Sequence, residues 1–173
     1  MDIIKLEREA YAGKKFTMRY RTNGYYDIRR TNRGFEIEYR CFEKPREMSF
    51  DDCFFSEWLE GAVAYGAFED GQLVGYVEGT LEEWNNRYRI SNIGIFDHSK
   101  RHGGIGSKLL EVILEEAKRS GARMAVLETQ NCNENAISFY RKNDFELIGF
   151  DLYAYGNNDP ERHEVRIEMG RKL

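Results

Sequence analysis

Cysteine is scarce in this chain and odd in number. Cys41, Cys53 and Cys132 lie far apart, which fits neither a disulfide framework nor a thiolate zinc site, so buried thiols are expected and no metal is implied. No secretory leader is expected from the opening stretch either. "MDIIKLEREAYAGKKF" has no basic start followed by an unbroken apolar segment, and no apolar run is long enough to span a membrane; the cytoplasm is the expected location, with no membrane partner. Excess positive charge is absent too, since 26 Lys and Arg against 30 Asp and Glu give a net charge of −4. That balance argues against tracking a nucleic-acid backbone and suits a cationic substrate, although a local basic patch can still hold an anionic cofactor. Room for two ordinary domains is also lacking at 173 residues, so one domain over 1–173 is expected. The charged share of 32% against 41% hydrophobic is an ordinary globular balance and argues against disorder. No repeat, linker or low-complexity segment interrupts it.

Residues 1–61 are the least legible part. "GFEIEYRCFEK" alternates Phe35, Ile37 and Tyr39 with charged partners, which predicts a half-buried strand, while residues 8–33 are mixed and basic without a clear period. From Ala62 the pattern sharpens. "AVAYGAFEDGQLVGYVEGTL" reads as two strands joined by a tight turn at Asp70 and Gly71. "RYRISNIGIF" is a further strand. Ile105, Leu109, Ile113 and Ala117, joined by Leu110 and Leu114, then form one apolar helical face, with Glu111, Glu115, Glu116, Lys118 and Arg119 on the other and Gly121 placed to end the helix. "RMAVLET" has the continuous apolar pattern of a strand buried on both faces. Strand, helix and strand in that order imply a parallel pair within an otherwise antiparallel sheet. A second helix is predicted over residues 134–143 with Asn133 as N-cap, followed by strands in "FELIGFDLYAY" and "EVRIEM".

The stretch "SKRHGGIGSKLLEVILEEAKRSG" raises the chemical question. Glycines ahead of a helix are either an ordinary tight turn or a cradle whose bare N–H groups hold phosphate. Gly103, Gly104 and Gly106 would let a ligand approach the backbone, and Lys100, Arg101, His102 and Lys108 add positive charge. A nucleoside-triphosphate loop would place Lys and then Ser or Thr directly after its last glycine; here Ser107 precedes Lys108. A dinucleotide loop needs a different glycine spacing.

Arg101-x-x-Gly104-x-Gly106 between a strand and a helix resembles the pyrophosphate loop of the GCN5-related N-acetyltransferase (GNAT) superfamily. "NENAISFYRKNDF" is similar to that superfamily's next signature, through Asn133, Ala136, Phe139, Tyr140, Lys142 and Phe145. On the residues alone, Ala136, Phe139 and Tyr140 also read as the buried face of a short helix. The GNAT resemblance covers roughly residues 62–169, and "AYGAFEDGQLVGYVE", "EEWNN", "LETQ" and "GFDLYAY" look like the streptothricin acetyltransferases within it. The resemblance implies an α/β fold: a mixed, mostly antiparallel sheet of six or seven strands flanked by helices, with a splayed central parallel pair. It also implies acetyl-CoA as co-substrate and acetyl transfer to an amine of a cationic small molecule, with a homodimer left open.

Carried over by position, the resemblance assigns the pantetheine arm to Ile93, Gly94 and Ile95, and the pyrophosphate to Arg101, His102, Gly103, Gly104, Ile105, Gly106 and Ser107. Asn133 would support the pantetheine or cap its helix, and Tyr140 would act as general acid. An alkylammonium, with an ordinary pKa of about 10.4, must lose a proton before it attacks. Glu128 is the leading candidate for that base and for substrate binding, with Glu82, Trp84, Asp151 and Tyr153 as further acceptor-side residues. Glu78 and Glu83 are further possibilities for the same roles, although each of Glu78, Glu82, Glu83 and Asp151 reads first as an ordinary solvated carboxylate. The pattern departs from the family where many members carry an acid on the strand before the loop: Ser91 and Asn92 stand there. Asp144 replaces a glycine, and "HEVRIEMG" lacks the aromatic ending of the streptothricin group. An acceptor that is a protein N-terminus, a lysine or a polyamine, and a non-catalytic acyl-CoA sensor, remain alternatives at this stage.

Overall fold

The computed structural model describes residues 1–96 and 103–173. In chain order its elements are β1 (Asp2–Lys5), α1 (Arg8–Tyr11), β2 (Lys15–Thr31), β3 (Gly34–Cys53), β4 (Val63–Glu69), β5 (Gln72–Glu82), β6 (Arg87–Ile95), α2 (Ile105–Arg119), β7 (Met124–Gln130), α3 (Glu134–Lys142), β8 (Glu146–Asp151), α4 (Asp159–Arg162) and β9 (Arg166–Lys172). Seven strands form one sheet in the order β1-β4-β5-β6-β7-β9-β8, and β2 and β3 form a separate two-stranded sheet. The chain groups into two compact units, one of Met1–Met18, Phe50–Leu127 and Arg171–Leu173, the other of Arg19–Ser49 and Glu128–Gly170.

In the first unit, Asp70 and Gly71 take φ of 50° and 77°, the paired left-handed conformations of a two-residue hairpin turn. β4 and β5 therefore pair antiparallel, with Glu69 opposite Gln72, and β5 pairs antiparallel with β6. β6 and β7 are parallel, from Arg87↔Met124 to Ile90↔Leu127, because α2 intervenes as the crossover. The expected apolar stripe of α2 is buried in full: Ile105, Leu109, Leu110, Ile113, Leu114 and Ala117. Gly121, at φ 75°, donates its N–H to Lys118 and closes the helix as predicted. Ala125, Val126 and Leu127 are all buried, the two-faced burial that their continuous apolar run implies. Leu6, Phe54, Phe55, Ala64 and Tyr76 form a second core cluster.

In the second unit, β8 and β9 pair antiparallel, and Asn133 accepts the Ala136 N–H to cap α3. The long hairpin is fixed by polar bonds, among them Tyr26 N–H to Asn131 O at 3.0 Å and Asn135 Nδ2 to Arg21 O at 2.9 Å. At Gly24 an added Cβ would lie 2.3 Å from the Arg40 carbonyl oxygen, so the close approach of β2 and β3 requires glycine.

Three expectations are corrected. Phe35, Ile37 and Tyr39 do lie on a strand, but they are exposed rather than half-buried, because β3 pairs only with β2. Only Cys132 is a buried thiol; Cys41 is exposed and Cys53 half-buried, since both lie on that thinly covered strand. The buried residues of α3 are Ile137 and Tyr140, while Ala136 and Phe139 are half-buried. Asp144, at φ 62°, does adopt the left-handed conformation that its family position calls for.

Ile113 is fully buried at the centre of the α2 face. Ile113→Ala should cost about 3 kcal/mol by transfer and cavity terms. Thermal unfolding should then show Tm lowered by roughly 6–12 °C.

Candidate active site

The first turn of an α-helix leaves its N–H groups without intrahelical partners and carries partial positive charge. Among the described residues nothing caps or neutralises that end of α2: Gly104 is the N-cap, no side chain caps it, and no acidic residue occupies the first turn. Gly104 sits at φ 78°, ψ 2°, a left-handed conformation that glycine adopts without strain. Gly103, Gly104, Ser107 and Lys108 are exposed and Gly106 is half-buried, while buried Ile105 anchors the turn in the core. These residues fit an anionic phosphate group. Arg101 and His102, with Lys100, lie outside the described residues.

Among the described residues, β6 is paired with β7 along only part of its length. The β6–β7 register stops at Ile90↔Leu127, whereas β6 continues to Ile95, with Asn92, Ile93, Gly94 and Ile95 opposite Glu78, Val77, Tyr76 and Gly75 of β5. The predicted Ile93–Ile95 segment thus retains backbone groups that an extended ligand arm could pair with. Over Gly94 lies Met18, whose Cε would be 2.3 Å from an added Cβ.

At the far end of β5, Glu82 pairs with Arg87 at 3.2 Å and with Arg89. Burial alone would raise its carboxyl, but the bonds from Arg89 and Asn85 and the charges of Arg89 and Arg87 hold it below the ordinary range. Its charge is committed to the β5–β6 turn. On that turn Trp84 is 84% exposed.

Glu78 departs from expectation. It was read as a solvated carboxylate, yet its exposure is 0%. Its Oε2 accepts the Phe55 N–H at 2.6 Å and its Oε1 the Asn92 amide at 3.5 Å. β5 lies inside the sheet and residues 54–59 contribute Phe54, Phe55 and Leu59 to the core, which is why a charged residue is enclosed there.

In the second unit, Tyr140 packs edge-on to Phe139, with ring centroids 5.5 Å apart. Burial raises its hydroxyl well above the ordinary tyrosine range, so it remains a protonated phenol at any working pH. Glu128 on β7 and Asp151 on β8 are brought together by Arg166 on β9, whose two terminal nitrogens lie 3.5 Å from each carboxylate. Asp151 also accepts the Tyr153 N–H at 3.0 Å, and the Tyr153 ring is half-exposed. Two carboxylates from different strands thus meet at one guanidinium. Sequence reasoning missed Arg166. The alternation of Val165, Ile167 and Met169 places it on the other face of β9, but its partners come from two other strands, and no sequence pattern reports their order.

Among the described residues no group of three His, Cys, Asp or Glu could hold a metal ion, and no helix is long and apolar enough to cross a membrane. Residues 31–145 match the Acetyltransferase (GNAT) family model. The streptothricin acetyltransferase of Escherichia coli is 32% identical over 142 residues, covering 82% of this chain and 79% of that protein. The fold matches the crystal structure of nourseothricin acetyltransferase with a TM-score of 0.77 at 24% identity, over 99% of this chain and 97% of the other. It also matches a Bacillus anthracis str. Ames protein crystallised with acetyl coenzyme A, with a TM-score of 0.71 at 23% identity, over 99% and 98%. With an uncapped glycine turn opening α2 and a family match over most of its length, this chain belongs to the Acetyltransferase (GNAT) family and is an N-acetyltransferase.

Proposed function

We propose that the protein transfers the acetyl group of acetyl-CoA to a primary amine of a streptothricin-type antibiotic, by direct attack and without an acyl-enzyme. The observation that carries the reading is the uncapped, glycine-rich start of α2, the next described element after β6, whose ladder with β7 among the described residues ends at Ile90↔Leu127. The acceptor is supported by the similarity to streptothricin acetyltransferases, by the net charge of −4, and by the paired carboxylates Glu128 and Asp151.

Acetyl-CoA supplies an acetyl group activated as a thioester. The N–H groups of Gly103, Gly104, Ile105, Gly106 and Ser107 hold the pyrophosphate, with Arg101 and His102 adding charge. Ile93, Gly94 and Ile95 align the pantetheine arm through their backbone, and Asn133 keeps the start of α3 in place. Tyr140 donates its proton to the departing sulfur, a role consistent with a phenol that stays protonated. Glu128 and Asp151 provide counter-charge for the acceptor's ammonium groups, while Trp84 and Tyr153 offer apolar surface to it. Glu82 contributes by holding the turn that carries Trp84. The protein works as an enzyme of the cytoplasm in this reading.

Purified protein mixed with acetyl-CoA and streptothricin should release CoA thiol with a kcat/KM of about 10⁴ M⁻¹s⁻¹ or more, and mass spectrometry should find one added acetyl group. No turnover by protein that binds acetyl-CoA would withdraw streptothricin as the acceptor. Tyr140→Phe should lower kcat by about 10²-fold or more, with the Kd for acetyl-CoA within about twofold of wild type by calorimetry. Gly104→Val should show the opposite split. A β-branched residue at φ 78° strains the turn, so the Kd for acetyl-CoA should rise about tenfold or more.

A further inference from the structure

Ser91 and Asn92 leave β6 without an acid, and Glu128 is engaged in an ion pair with Arg166. The first unit supplies a different carboxylate. We propose that Glu78 of β5 is the proton acceptor of the acetyl transfer, standing one strand away from where the family usually carries its acid. This rests on the N-acetyltransferase reading and deepens it.

Three observations converge. First, register places Glu78 opposite Asn92 and Tyr76 opposite Gly94, on the part of β6 that has passed the end of its β7 ladder. Second, only one Glu78 oxygen has structural work. Oε2 holds the Phe55 N–H at 2.6 Å, fixing a residue at φ 50°, whereas Oε1 has only the long 3.5 Å contact with Asn92. A glutamine would hold Phe55 equally well with no charge to desolvate, so the ionisable group exceeds what the loop needs. Third, the Tyr76 hydroxyl, on a residue 1% exposed, has no hydrogen-bond partner among the described residues. A buried hydroxyl without a partner, on the residue two positions before Glu78 in the same strand, is suited to bind a water.

The surroundings agree. Burial raises the Glu78 carboxyl most; the Phe55 N–H and Asn92 amide oppose it, Asp52 on β3 adds to the rise, and Arg8 on α1 lowers it. Tyr76 is raised first by burial, then by Glu78, Asp52 and Cys53, so it stays neutral. No ion pair involves Glu78 among the described residues. In the reaction the acceptor ammonium gives one proton to the Glu78 carboxylate through water. The freed nitrogen lone pair forms the C–N bond, the C–S bond breaks, and the sulfur takes a proton from Tyr140.

The test is Glu78→Gln, which keeps the acceptor for Phe55 and removes the titration. With streptothricin as acceptor, kcat/KM at pH 7 should fall about 10²-fold or more, and the acidic limb of the wild-type pH profile should disappear, with acetyl-CoA affinity retained. Stability is a second readout, independent of turnover. A carboxyl raised on folding contributes stability below its unfolded pKa and loses it as pH rises through the folded pKa. Glu78→Gln should therefore match wild type near pH 4 and have an equal or higher Tm at pH 8. A carbon-13 titration of the Glu78 carboxyl, in acceptor-free protein, should give a midpoint above 4.5. An active wild type with an equally active Glu78→Gln variant, or a midpoint at or below 4.5, overturns the proposal. A wild type inactive on streptothricin and on other amines removes the parent reading, and this one with it.

Discussion

The structure turns on a pairing that stops early. β6 is an interior strand, hydrogen-bonded along β5, but its parallel ladder with β7 ends at Ile90↔Leu127 while the strand runs on to Ile95. Interior strands ordinarily satisfy both edges, because unpaired backbone groups are costly once shielded from water. Among the described residues, the start of α2 is likewise left without a capping side chain. Two sets of backbone donors and acceptors, one linear and one clustered, are thus available at the end of β6 and the start of α2. A ligand with an amide-bearing arm and a phosphate group answers both.

The carboxylates divide into two environments with different chemistry. Glu128 and Asp151 share Arg166 and remain partly exposed, which suits them to present steady negative charge to a cation. Glu78 is fully enclosed, has one oxygen held only by a long 3.5 Å bond from Asn92 and forms no ion pair among the described residues. Enclosure raises the cost of its charged form and so strengthens it as a proton acceptor. Separating groups of one chemical type by environment is a general route to acid, base and counter-charge from a small set of side chains.

How much of this was legible depended on whether the signal was local. The Asp70-Gly71 turn, the α2 stripe, the Gly121 stop and the Asn133 cap each rest on residues within a few positions of one another, and each formed as read. β2 was illegible because the residues it buries in alternation, Tyr20, Thr22 and Gly24, are not an apolar series. β3 showed clear alternation and misled on burial, since its pattern is that of a covered strand and only β2 pairs with it. Glu78 looked like any surface glutamate because burial of a charge leaves no trace in neighbouring residue types.

The sequence by itself determined the family, the glycine turn before α2, the helix that follows and the tyrosine of α3, because these depend on contiguous residues whose spacing is their function. Only the tertiary structure decided which carboxylates are free and which are engaged. Arg166 meets Glu128 and Asp151 through strand order, and Glu78 meets Phe55 and Asn92 through the packing of residues 54–59 and the register of β5 on β6. Solvent exposure and partner identity are set by residues distant in the chain, and they fix the protonation behaviour on which acyl transfer to an amine depends.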